Sequence, residues 1–69
     1  RKLDRSVPVL LGRSISYVEL KQYDLALADR HKAVEIDPNN PEAWVARGAA
    51  HHLLGNHPQG IADRTRAIE

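Results

Sequence analysis

The apolar residues in the first half of the chain recur at spacings of three and four, which is typical of amphipathic helices rather than of strands. Between Val9 and Leu20 the apolar positions keep this spacing, and Pro8 suits the first turn of a helix. After an interrupting KQYD, residues 25–36 read LALADRHKAVEI and are rich in helix-forming residues. The pattern therefore predicts two helices of similar length, joined by a short turn.

The segment DPNNP separates this first helical pair from a second one. Asn40 is a favourable helix cap and Pro41 a favourable first helical residue, which predicts a third helix over residues 42–54. That helix ends at GNHP, and Pro58 opens a fourth helix that continues to the last residue. The predicted fold class is all-α, with two helical pairs on either side of one joint.

Composition narrows the possible functions. A chain of 69 residues forms one small domain at most, too small for a deep catalytic cavity. Ten Lys and Arg against nine Asp and Glu are mixed along the chain, which disfavours binding to nucleic acid or to a membrane surface. No apolar run is long enough to span a membrane, and there is no cysteine, which favours an intracellular, cytoplasmic location. The opening RKLDRS, without Met or a signal peptide, suggests a piece of a longer protein.

The chain also repeats itself at a period of 34 residues without a gap. Such a period indicates one supersecondary unit used twice. The identical pairs are Arg13 with Arg47, Leu20 with Leu54, Ala28 with Ala62, Asp29 with Asp63, Arg30 with Arg64, Ala33 with Ala67 and Glu35 with Glu69.

This repeat resembles the tetratricopeptide repeat (TPR), a 34-residue helical hairpin with the pattern W-x2-L-G-x2-Y, A-x3-F and P. The matching residues are Leu10, Ser14, Tyr17, Ala26, Ala33 and Pro38 in the first unit and Trp44, Gly48 and Ala67 in the second. The resemblance implies tandem antiparallel hairpins, a fragment of an α–α superhelix. It divides the chain into the end of a preceding unit or a linker at 1–6, repeat one at 7–40 and repeat two at 41–69, truncated before its final turn.

Two arginines depart from the pattern, because Arg13 and Arg47 stand where it has Leu. Counting outward from Lys21 in the first turn, Arg13 lies eight residues before it and Asp29 eight residues after it. The second unit repeats this arrangement with Arg47 and Asp63. Residues equidistant from the turn of an antiparallel hairpin face each other, so we predict two structural ion pairs. A catalytic or anion-binding arginine is the functional alternative.

A second pair of arginines, Arg30 and Arg64, occupies the aromatic position of the pattern. Both lie within an apolar stripe, and we expect their charged ends to reach water at the edge of an interface between units. Small residues at the facing positions, Gly48 and Ser14 on one side and Gly60 and Ala26 on the other, predict close approach of the paired helices.

The first helix of each unit carries another stripe that packing within the hairpin does not use. In the family the matching face lines a concave groove that receives a peptide or helix of a partner protein. The predicted groove residues are Leu11, Ile15, Val18, Glu19, Val45, Ala49 and His52. Because they are mostly apolar with acidic residues at the edges, they favour a partner with apolar anchors and basic flanks.

Other interpretations of the stripe remain open. Neighbouring repeats could bury it, or the segment could serve oligomerisation or the architecture of a larger chain; an engineered repeat fragment is a further possibility. Some members of the family bind a C-terminal carboxylate with Lys, Arg and Asn in the groove. Leu11, Ile15 and Ala46 occupy those places here, which disfavours such a clamp.

The four histidines raise the question of a metal site. None forms the i, i+4 pair of a helical zinc site, and no serine triad or glycine-rich phosphate loop is present. We therefore predict no enzyme activity, no cofactor, no metal and no small-molecule substrate. The predicted partner is a protein or peptide, with self-association as a further possibility.

Overall fold

The computed structural model describes residues 6–69, which form four helices and no strand. The predicted all-α fold is therefore confirmed for this range. The predicted segment 1–6 lies outside the described residues except for Ser6, which already belongs to the first helix. The helices are α1 (Ser6–Glu19), α2 (Tyr23–Ile36), α3 (Pro41–Leu53) and α4 (His57–Ile68).

All four helices begin slightly earlier than predicted, α3 by one residue at Pro41. α1 starts at Ser6, before Pro8; α2 starts at Tyr23; and α4 starts at His57, before Pro58. Prolines are accepted there because the first turn of a helix has no partners for its backbone N–H groups. A proline near the start of a pattern thus indicates the first turn and not always the first residue, since Pro41 alone of these prolines begins its helix.

The two hairpin turns have the same construction. Lys21 and Gly55, 34 positions apart, both adopt a left-handed backbone, with φ of 61° and 84°. In the first turn the N–H of Gln22 donates to the carbonyl of Tyr17 at 2.8 Å, and the equivalent bond in the second turn has the same length. This pattern is a Schellman motif, which satisfies carbonyls that would be free at a helix end. The 34-residue period is therefore repeated in the backbone.

The joint between the hairpins is capped by Asn40. Its side-chain oxygen accepts a hydrogen bond from the N–H of Glu42 at 3.0 Å, and Pro41 is the first residue of α3. Asn56 holds the corresponding position before α4, but its side chain makes no capping bond. The predicted cap is thus confirmed, and the turn before α4 offers a comparison without a side-chain cap.

We expect Asn40→Ala to lower the free energy of unfolding by about 1 kcal/mol, because it removes an N-cap bond. Asn56→Ala removes the same residue type at an N-cap without that bond, so its effect should be clearly smaller. Urea unfolding followed by circular dichroism measures both. Equal losses in the two variants would contradict a role for the Asn40 cap.

Small side chains build the interior. Each helix packs against the next one in the chain. Val7, Ala33, Val34 and Ala43 form a buried cluster that joins the two hairpins. The structure measures 37 × 28 × 13 Å, so it is a thin slab with two broad surfaces. Several large apolar side chains consequently stay exposed: Val9, Ile15, Leu20, Leu25, Val45, Leu53, Ile61 and Ile68.

Within residues 6–69, none of the four helices has the length and apolar character that crossing a membrane requires.

Candidate partner-binding groove and its supporting ion pairs

An open groove of about 470 Å³ lies between α1 and the start of α3. Ile15 on α1 and Val45 on α3 face it, and they are 55% and 50% exposed. Large apolar side chains exposed together on a concave surface are characteristic of a binding site for a partner. The lining residues are Leu11, Ile15, Arg30, Pro41, Glu42, Val45 and Ala46.

Three of the seven predicted groove residues line this groove. Leu11, Ile15 and Val45 lie together there, whereas Val18, Glu19 and Ala49 are not among its lining residues. The groove therefore occupies the end of the predicted stripe nearest the joint between the hairpins. Glu42, which borders the predicted stripe, supplies an acidic group at the rim.

His52 is turned away from the other predicted groove residues. Its Nδ1 lies 2.8 Å from Nδ1 of His57, and its ring lies against α4 at Gly60. A Cβ atom at Gly60 would stand 2.7 Å from Nε2 of His52, so the missing side chain makes room for this ring. The structure therefore groups His52 with the second turn.

Arg30 lies behind the groove and is only 7% exposed. Its Nε donates to Oγ of Ser14 at 2.8 Å, and its Nη1 donates to the backbone carbonyl of Ala46 at 2.9 Å. Burial lowers the pKa of its guanidinium. The expectation that Arg30 extends into water is thus wrong, because its side chain is buried and two of its donors bind these oxygens inside the protein. Arg30 connects α1, α2 and α3 and so joins the two hairpins.

Sequence reasoning identified Arg30 as unusual but did not find its partners. Ser14 was the residue that could have indicated these partners. Its hydroxyl donates to the backbone carbonyl of Leu11, one helical turn away, at 2.6 Å. Ser14 is fully buried. A buried hydroxyl needs polar partners, and the arginine opposite it in the hairpin provides one.

The predicted ion-pair residues face each other in both hairpins. Arg13 donates through Nε and Nη2 to the two carboxylate oxygens of Asp29, at 2.8 and 2.7 Å. Arg47 donates in the same two-pronged way to Asp63, with both distances at 2.8 Å. These hydrogen bonds raise the pKa of both arginines. The geometry is that of strong, charge-assisted hydrogen bonds.

The two pairs differ in how far water reaches the arginine. The Arg13 side chain is 57% exposed and the Arg47 side chain 15%, while both aspartates are buried. Arg47 is covered because Nη1 donates to Nδ1 of His31 on α2 at 2.9 Å, and its guanidinium lies 4.8 Å from the centre of the Trp44 ring. The second pair therefore also joins the first hairpin to the second.

Among residues 6–69, no group of three or more His, Asp or Glu side chains is arranged to hold a metal ion. His51 lies beside an ion pair, with Nε2 3.6 Å from Oδ2 of Asp63. It is thus placed next to a structural carboxylate in the hairpin interior.

Two antiparallel hairpins, related by 34 residues and stacked through α2 and α3, define a helical-repeat protein of the solenoid class. A family model described as TPR repeat matches residues 16–55, more than half of the chain. The chain belongs to the tetratricopeptide repeat family. This family generally mediates protein–protein interactions and is generally non-enzymatic.

Curated relatives agree with this assignment. The chain is 40% identical over 51 residues to Tetratricopeptide repeat protein 28 of Homo sapiens, covering 74% of the chain and 2% of that protein. It is 33% identical over 54 residues to Anaphase-promoting complex subunit 6 of Dictyostelium discoideum, covering 78% and 6%. It is 31% identical over 62 residues to Serine/threonine-protein phosphatase T of Aspergillus oryzae, covering 90% and 13%.

The chain thus spans a small fraction of each of these relatives. The word phosphatase describes the Aspergillus protein as a whole and is no evidence of catalysis in these residues. No solved structure matches the chain.

Proposed function

We propose that this chain binds an extended peptide or a helix of a partner protein in the groove between α1 and α3. The observation that carries the proposal is the joint exposure of Ile15 and Val45 on either side of an open concave surface. Burying two such side chains against a partner gives a favourable hydrophobic contribution.

The polar groups of the groove favour one chemistry of partner. The Nε and Nη1 donors of Arg30 are engaged by Ser14 and Ala46. Glu42 is exposed at the rim. A segment with apolar anchors and Lys or Arg beside them suits this surface better than an acidic one. Within this proposal, residues 7–40 and 41–69 act as the two repeats, in an intracellular protein.

The test uses a displayed library of random peptides selected against the wild-type chain. We expect selected peptides to carry apolar anchors with basic flanks. Ile15→Glu and Val45→Glu should each weaken the binding of a selected peptide at least about tenfold, because they place charge where an apolar anchor binds. Circular dichroism should show helix content close to that of the wild type, since both residues are half-exposed.

Leu53→Glu is the matched control. Leu53 is an exposed apolar residue of α3, 44% exposed, and it is not among the residues that line the groove. Peptide binding should survive this change. If both groove variants fold and bind like the wild type, the groove is not the site. If both lose their helices, the stripe is structural, as in the oligomerisation hypothesis.

A further inference from the structure

Two histidines meet across the turn between α3 and α4. His52 lies near the end of α3, and His57 is the first residue of α4. Their Nδ1 atoms are 2.8 Å apart, and the centres of their rings are 5.0 Å apart. Both residues are exposed to solvent. They are five residues apart and lie on two helices, so they are not the i, i+4 pair of a helical zinc site.

The backbone of the turn holds the two histidines near each other. Gly55 adopts a left-handed backbone with φ of 84°. Its N–H donates to the carbonyl of His52 at 3.0 Å, and the N–H of Asn56 donates to the carbonyl of His51 at 2.8 Å. These bonds reverse the chain directly after His52 and return it at His57. Folding of the hairpin therefore brings the two imidazoles together before any ligand binds, which is the preorganisation that a binding site needs.

Helix α4 also orients the ring of His52. A Cβ atom at Gly60 would stand 2.7 Å from Nε2 of His52, so this nitrogen lies against the helix while Nδ1 faces His57. The first repeat has the same turn, but Val18, Tyr23 and Ala26 occupy the positions equivalent to His52, His57 and Gly60. Of the two turns, the second one alone combines the two imidazoles with the space for them.

The short distance between the two Nδ1 atoms has a chemical consequence. A neutral imidazole carries its proton on one nitrogen and a lone pair on the other, and the lone pair can bind a metal ion. Two nitrogens 2.8 Å apart, each about 2.0 Å from an ion, subtend an angle of about 90° at that ion. Neighbouring ligands of a tetragonal site make this angle, and Cu²⁺ with nitrogen and oxygen ligands prefers that geometry.

We propose that His52 and His57 chelate a Cu²⁺ ion through their Nδ1 atoms, with water in the other coordination positions. Cu²⁺ is the choice because it binds such ligands most strongly among the divalent first-row metals. Within residues 6–69 no third His, Asp or Glu is arranged to join the pair, and its exposure lets water complete the site. The proposal departs from the sequence-based expectation of no metal, which rested on pairs within one helix.

A bound ion would connect the end of α3 to the start of α4. Unfolding separates the two imidazoles, so the ion binds the folded hairpin more strongly than the unfolded chain and stabilises it. The site goes beyond the proposed groove function, since neither His52 nor His57 lines the groove. It would make the stability of the second repeat depend on the availability of the metal.

Calorimetric titration of the chain with CuCl₂ tests the proposal. We expect saturable binding of one ion per chain, and His52→Ala and His57→Ala should each weaken it at least about tenfold because each removes a ligand. Electron paramagnetic resonance of the loaded wild type should show a tetragonal ion coupled to two imidazole nitrogens. Urea unfolding should shift to higher urea on adding CuCl₂ for the wild type and not for either variant. Both variants should fold, since both positions are exposed.

His31→Ala is the matched control. It removes one exposed imidazole from α2, where Nδ1 of His31 contacts Arg47, and leaves the pair at the second turn intact. Copper binding by this variant should match that of the wild type. The proposal is overturned if the wild type shows no saturable binding, if binding is insensitive to both His52→Ala and His57→Ala, or if His31→Ala weakens it as much as they do. Peptide capture in the groove is measured separately, and its result does not depend on this one.

Discussion

Replacing Asp63 with alanine should lower the free energy of unfolding by about 3 kcal/mol, because the change leaves Arg47 largely buried without its carboxylate. Asp63 is 5% exposed and accepts two hydrogen bonds from Arg47 at 2.8 Å. An ion pair in water would contribute less than about 1 kcal/mol. The expected loss is larger here because the stranded guanidinium stays next to Trp44 and His31.

A double-mutant cycle between Arg47 and Asp63 measures this interaction directly. Chemical denaturation of the wild type, the two single alanine variants and the double variant gives the coupling energy. The single variants alone also report the cost of leaving a charge unpaired. A coupling energy indistinguishable from zero would contradict the hypothesis that this ion pair stabilises the hairpin.

Asp29→Ala provides the comparison within the same molecule. Asp29 is as buried as Asp63 and makes the same two bonds, but its partner Arg13 is 57% exposed. Water can solvate Arg13 once Asp29 is removed, so the loss of stability should be smaller than for Asp63→Ala. Equal losses of stability in Asp29→Ala and Asp63→Ala would mean that the exposure of the arginine does not determine how much each ion pair stabilises the fold.

Much of the backbone could be predicted because it depends on local sequence. Helical spacing, the Asn40 cap and the glycine at position 55 each act within a few residues, and the 34-residue period then predicted a second hairpin built like the first. The backbone at Lys21 could not be predicted from its local sequence. Lys21 adopts a left-handed backbone that a lysine rarely takes, and the position was predictable only because Gly55 occupies it in the other repeat.

Contacts that involve three helices at once were harder to predict from the sequence. Arg30 was assigned an exposed end because the stripe of one helix does not reveal acceptors on two others, Ser14 on α1 and Ala46 on α3. His52 was grouped with Val45 by spacing along α3. Its ring lies against α4 because Gly60 leaves space there, which periodicity cannot indicate.

Gly48 lies where α3 and α4 approach each other closely, and its substitution has the second large expected effect. We expect Gly48→Ala to lower the free energy of unfolding by about 1–3 kcal/mol through overpacking. The added Cβ would stand 2.9 Å from the carbonyl oxygen of Gly60 and 3.2 Å from Cβ of Asp63. The first of these atoms belongs to the backbone, so it cannot be relieved by rotating a side chain. The two helices must separate, which also loosens the geometry of the Asp63 ion pair.

Gly12→Ala is the control that separates packing from helix propensity. Alanine is favoured over glycine within a helix by about 1 kcal/mol, and both glycines lie inside helices. At Gly12 nothing lies within 4 Å of the added atom, so the propensity gain should appear as increased stability. Thermal unfolding followed by circular dichroism should therefore give shifts of opposite sign for the two variants. A stabilised Gly48→Ala variant would mean that α3 and α4 can separate at little cost, and that their close approach is not required for the hairpin.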